Sequence, residues 1–171
     1  MTIVAYDTND FAASGLISYP IYNITTTTNA TTNETDILYD IIGYGNATVH
    51  AFVSNGASPE GEVRFSAGAF RYESSTIEEV DTSGDLLVAR GSGMFFGGDP
   101  NLNGQLFAFE SIFTDDASAS EDDFALKVFN TTYANNPFND DDAELLLLVE
   151  NSTFLSGAIT KGTRRALRGS L

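Results

Sequence analysis

An antiparallel all-β domain, sandwich or barrel, is the fold class this sequence predicts. Three observations carry it: hydrophobicity alternates with period two along most of the chain, Gly and Asn punctuate the alternating segments, and convincing helical periodicity is scarce. Short strands divided by such turn residues are the pattern of closed or two-layered antiparallel sheets.

The segments follow in order. "TIVAY" opens as a strand, and "YPIYNI" (19–24) leads into the polar loop "NITTTTNATTNET". "DILYDIIGYG" (36–45) and "NATVHAFVS" (46–54) come next, then "EGEVRFSAGAFRYE" (60–73), read as one long strand, and "STIEEVD" (75–81). "DLLVARGSGMFFGG" (85–98), "GQLFAFESIF" (104–113) and "DFALKVFNTTY" (123–133) continue the series. The loops "TDDASASEDD" and "ANNPFNDDD" are acidic and expected to be solvated, whereas "DDDAELLLLVEN" is either an Asp-capped helix or a last buried strand.

With 171 residues the chain suits one domain, residues 1–160, followed by a basic tail, 161–171. Thirteen Phe and seven Tyr exceed what a disordered chain carries. The net charge is −16, and four of the eight basic residues (Lys161, Arg164, Arg165, Arg168) sit in the tail, so residues 1–160 hold four basic against 24 acidic groups. Such a surface repels phosphate backbones and anionic lipid, so nucleic acid is not an expected partner. The longest apolar run, "LLLLV", falls far short of the roughly 20 residues of a membrane-spanning helix, so no membrane span is expected.

Cysteine is absent, which excludes disulfides and thiolate chemistry. Six Asn-x-Ser/Thr sequons, at Asn23, Asn29, Asn33, Asn46, Asn130 and Asn151, exceed the two to three that composition alone gives by about a factor of two, which points to a secreted glycoprotein. The opposing reading is loop chemistry: Asn and Thr cluster because they favour turns. "MTIVAYD" lacks the basic start and long apolar core of a signal peptide.

In "GGDPNLNGQLFAFE", Asp99, Asn101, Asn103, Gly104 and Glu110 match the spacing of an oxygen-lined calcium loop. That loop requires a helix on each side. Here the flanks read as strand, and Pro100 favours a β-turn, so the expectation is a hairpin without tightly bound calcium. Gly91, Gly93, Gly97 and Gly98 are expected to bend the chain into and out of the strand holding Met94 and Phe95.

The same hairpin carries a family resemblance. "DLLVARGSGMFFGG", "NGQLFAF" and "FALKVFNTTY" resemble the glycine-marked hairpin and late strand of allene oxide cyclases and dirigent proteins, over residues 60–133. The resemblance implies an eight-stranded antiparallel β-barrel, often a homotrimer, to which this sequence adds long polar loops. It implies a cavity for a small hydrophobic or phenolic intermediate and no cofactor, the reaction being an isomerase-type cyclisation or a coupling of radicals made by a separate oxidase. The Thr/Asn loop, the insertion at 114–123 and the tail after Tyr133 depart from the family pattern.

Strand parity nominates residues for such a cavity. Val63, Phe65, Ala67, Ala69 and Arg71 would share one face, and Leu86, Val88 and Arg90 another, each ending in a guanidinium. Glu110 lies on the face of Leu106, Ala108 and Ile112, although Phe107, Phe109 and Phe113 make the other face equally apolar. Arg71, Arg90 and Glu110 are candidate catalytic groups, since fixed charges in a dry pocket polarise a carbonyl or epoxide; the resemblance adds Asp7, placed where the dirigent pattern has an acidic cavity residue, as a general acid. Phe65 and Phe129 are candidate substrate contacts, and the resemblance adds Tyr6 and Lys127, which match positions of the family pattern, Lys127 being turned inward if Asn130 carries a glycan. Against each stands a plain alternative: a strand-end charge reaching solvent, a structural ion pair, or a turn aspartate. His50, the single histidine, shares parity with Asn46 and is expected on the surface; no metal is assigned.

Two function classes stay open. One is a dirigent-like or cyclase-like barrel steering a reactive intermediate; the other is a noncatalytic secreted glycoprotein acting as a binding or structural module. A core closed by Phe and Tyr favours the second, and an open cavity of roughly 300 Å³ or more, lined by Arg and carboxylate, favours the first.

Overall fold

The computed structural model describes residues 10–115 and 122–161. It is all-β and antiparallel. The strands are β1 (Phe11–Thr28), β2 (Thr35–Asn55), β3 (Pro59–Ala67), β4 (Phe70–Ser83), β5 (Leu86–Phe96), β6 (Leu106–Thr114), β7 (Asp123–Phe129) and β8 (Leu145–Lys161), with two short 3₁₀ turns, Tyr133–Asn135 and Pro137–Asn139. Each strand pairs antiparallel with the next, and β1 also pairs with β8, from Phe11↔Lys161 to Ile17↔Phe154.

Alternation decides which face is buried. On β5 the inner face is Leu87, Ala89, Gly91, Gly93 and Phe95, while Leu86, Val88, Arg90, Ser92 and Met94 point the other way. On β6 it is Phe107, Phe109, Ser111 and Phe113, and on β7 Phe124, Leu126 and Val128. Tyr72 and Phe109 meet edge to face at 5.8 Å, and Tyr72 and Phe95 at 5.2 Å. The Tyr72 hydroxyl donates to the Phe107 carbonyl at 3.1 Å, which satisfies the one polar atom of that ring. Gly93 is what admits the ring: a Cβ there would lie 2.5 Å from the Tyr72 oxygen.

Several sequence expectations are corrected. Residues 60–73 are not one strand, because Gly68, at φ +58°, and Ala69 turn the chain and place Ala67 opposite Phe70. A parity count carried across that turn fails, so Tyr72 faces the core and Arg71 does not. Residues 36–54 form one strand, bulged opposite Ile21 and Tyr22, where two were expected. "AELLLLVEN" resolves in favour of a strand, β8. Gly91 and Gly93 lie within β5, facing bulges on β4, and Gly97 and Gly98, at φ +77° and +68°, turn the chain after it. "ANNPFNDDD" is less solvated than its acidity suggests, since Pro137 is buried and Phe138 half-buried.

β1 and β2 outrun their neighbours. Pairing with β8 ends at Ile17 and pairing with β3 begins at Thr48, so residues 18–28 and 35–47 continue as a two-stranded ribbon. Ile24, Leu38, Ile41, Ile42 and Tyr44 are exposed on it.

Candidate functional site

Among the described residues, an ion-pair cluster centred on Arg90 lies on the outer face of the sheet. Cross-strand register places Glu79 opposite Arg90, Arg90 opposite Glu110, Glu110 opposite Lys127 and Lys127 opposite Leu148, so one row crosses β4, β5, β6, β7 and β8. Arg90 Nε donates to Glu110 at 2.8 Å and Nη1 to Glu79 at 2.9 Å, with Asp81 3.7 Å from Nη1. The Arg90 side chain is 22% exposed and that of Glu110 10%.

An outward-facing glutamate is buried because a loop covers it. Thr131 accepts a hydrogen bond from the Ala108 amide at 2.8 Å, and Asn130 is tied to Glu144 through its amide (2.8 Å to the carbonyl) and its side chain (2.9 Å to the carboxylate). Asn136, at φ +47°, joins the two 3₁₀ turns and brings Phe138 over the guanidinium, 5.2 Å from ring centre to Cζ. Phe138 in turn packs edge to face on Phe129 at 5.5 Å and lies 5.6 Å from Tyr133. Burial alone would lower the Arg90 pKa, but the hydrogen bonds and charges of Glu110 and Glu79 outweigh it and hold the guanidinium above its ordinary value. Tyr133 is pushed up by burial and by the charges of Glu79 and Glu78.

Beside this cluster is a hollow of about 210 Å³ lined by Lys127, Phe129, Phe138, Asp140, Asp141 and Glu150, among others. Glu150 accepts the Tyr22 hydroxyl at 3.2 Å, and burial together with Glu150 raises the pKa of Tyr22 and of Tyr39. Lys127 therefore stands on the face opposite Leu126 and Val128, not turned into the core as expected, and Phe129 is buried against the loop.

Arg90 and Glu110 are thus brought together, but outside the apolar face and not as groups of an inward cavity. Arg71 joins neither: its side chain is 51% exposed, donates to Glu73 at 2.9 Å and rests on Phe96 at 4.6 Å. Phe65 is fully buried, edge to face with Tyr19 at 5.3 Å, within the packed core and not on an open wall. Tyr6 and Asp7 lie outside the described residues, as does the tail from 162, and the side chain of Asn151 is likewise not described. Asn23, Asn29, Asn33, Asn46 and Asn130 are exposed. His50 is exposed beside Glu62 at 3.2 Å. In "DPNLNG", Asp99 Oδ1 accepts from the Asn101 amide and side chain, both at 2.9 Å, which closes a turn, while Glu110 is held by Arg90 far along β6. No group of three or more His, Cys, Asp or Glu suited to a metal occurs among the described residues.

The sequence reading missed Phe138 and Glu79. "PF" within an acidic loop is a weak sign, yet an aromatic residue among eight polar or small ones is one that needs burial. No protein-family model, curated protein or solved structure matches the chain.

Proposed function

We propose that the protein is a noncatalytic secreted glycoprotein, an eight-stranded barrel that serves as a binding or structural module. One observation carries this reading: the inward positions are filled by Tyr72, Phe65, Phe109, Phe113 and Phe124, while Arg71, Arg90 and Glu110 lie on the other face. A pocket that polarises an intermediate needs its charges facing the reacting atoms. The Arg90 Nε and Nη1 are already engaged by Glu110 and Glu79, so the cluster acts as a clamp on the sheet and its loop.

A dirigent-like or cyclase-like role retains one supporting feature. An apolar hollow of about 310 Å³ is lined by Tyr19, Ile21, Phe70, Leu146, Leu147 and Leu148, large enough for a phenol, though no arginine or carboxylate lines it. Titration with alkylphenols and a long-chain epoxide, followed by methyl NMR, separates the two readings. The module reading predicts no saturable shifts at Val63, Leu87, Leu126 or Leu147; saturable shifts there overturn it. Secretion and glycosylation are tested by intact mass before and after glycosidase, an unchanged mass being the contrary result. A homotrimer is a separate proposal, resting on exposed apolar side chains such as Leu38 and Ile21, and light scattering that shows only the mass of a single chain, 18.3 kDa of polypeptide plus its glycans, overturns it.

A further inference from the structure

We infer that the first sugar of a glycan on Asn46 stacks on the Tyr44 ring and covers the apolar patch around it, an inference that rests on the glycoprotein reading above. Tyr44, Asn46 and Thr48 are exposed on one face of β2, while Ala47 and Val49 between and after them are buried. Tyr44 is 71% exposed, and with Ile41 (53%) and Leu155 (59%) it borders a shallow hollow of about 380 Å³ floored by Ser18, Pro20 and Tyr22. The one charged residue of that lining, Glu150, is held by the Tyr22 hydroxyl. Exposed apolar surface of this kind needs a cover, and this one lies beside a sequon.

The geometry favours the attached sugar as that cover. Residues two apart on a strand stand about 6.6 Å from each other on the same side, within reach of a sugar ring carried on the Asn side chain. The residue opposite Asn46 is the small Ser18, and Gly45 between the pair faces the other side, toward Tyr19, so no bulky side chain stands between Tyr44 and Asn46 along the strand. The axial C–H bonds of N-acetylglucosamine are weakly positive and the face of a phenol ring is negative, so the two attract, and covalent attachment supplies a high effective concentration. The other sequons lack this arrangement. Two residues before Asn23, Asn29, Asn33, Asn130 and Asn151 stand Ile21, Thr27, Thr31, Val128 and Val149, none aromatic. Asn29 Oδ1 is also engaged by the Thr31 amide at 2.9 Å, and the Asn130 side chain by Glu144.

The test uses the full chain secreted from a eukaryotic host, its glycans trimmed to the first N-acetylglucosamine by an endoglycosidase. The Tm difference between the parent and Asn46→Gln is read with Tyr44 intact and in the Tyr44→Phe and Tyr44→Ala backgrounds, alongside the proton shifts of the Asn46 sugar. The expected result is a difference of roughly 2–4 °C that survives Tyr44→Phe and vanishes in Tyr44→Ala, with upfield ring-current shifts that vanish with it. An equal difference in all three backgrounds, with sugar present at Asn46, overturns the stacking alone. Glycopeptide mass showing sugar at other sequons and none at Asn46 overturns this inference and leaves the glycoprotein reading standing; no sugar at any sequon overturns both.

Discussion

Tyr72 and Arg90 show how burial acts on a polar side chain on each of the two faces. The Tyr72 ring is fully buried and its pKa is driven far up by that burial, so the folded protein keeps the phenol neutral. The unfolded chain ionises it near the ordinary value of about 10, so the folded state binds the proton more tightly and stability is lost as pH rises beyond about 10. Urea unfolding across that range is expected to show the fall, and Tyr72→Phe to flatten it while costing about 1 kcal/mol at neutral pH through the lost bond to Phe107. Arg90→Leu strands Glu110 under the loop and is expected to cost about 3 kcal/mol, most of it recovered when Glu110→Leu is added. Arg71→Leu, on a half-exposed pair, should cost less than about 1 kcal/mol. Equal costs for the two arginines in a denaturant series would contradict the burial argument.

At the scale of elements, the 130–144 loop depends on Phe138. Its ring closes over Arg90 and against Phe129, and Thr131 at the start of the loop accepts the Ala108 amide. Phe138→Ala is expected to cost about 2 kcal/mol, below the range for a fully buried Phe because the ring is half-exposed. Amide exchange locates the effect: Ala108 and Asn130 should lose protection while β5 amides keep theirs. The β3–β4 turn is governed by a different constraint. Gly68 adopts a left-handed φ of +58°, so Gly68→Val is expected to destabilise by about 1–2 kcal/mol although open space surrounds the position.

For the whole molecule, the net charge of −16 works against compaction. Raising ionic strength from about 0.01 to 0.15 M shortens the screening length from about 30 to 8 Å, and the midpoint of urea unfolding should rise with it. A midpoint that falls steadily with salt would mean that ion pairs such as Arg90 with Glu110 outweigh the general repulsion.

The sequence by itself determined the all-β class, the turns at "DPNLNG" and Gly97–Gly98, the exposure of His50 and the outward parity of Asn46, because each depends on two or three neighbouring residues and on the period of a strand. Which apolar face turned inward was decided only by tertiary structure. On β5 and β6 both faces are apolar, so Leu86 and Leu87, or Ala108 and Phe109, are equivalent to a local pattern; the sheet buries the β6 side that carries Phe107, Phe109 and Phe113 and the β5 side whose Gly93 admits the Tyr72 ring, while Phe138 of a loop distant in sequence lies over Arg90 on the other side. Arg71 failed for the same reason in smaller form, since a glycine turn between it and Phe65 resets the alternation. The ion pair of Arg90 with Glu110 and the ring that covers it join residues 20 and 48 positions from Arg90, and contacts of that separation arise from strand register and loop path, which no local stretch encodes.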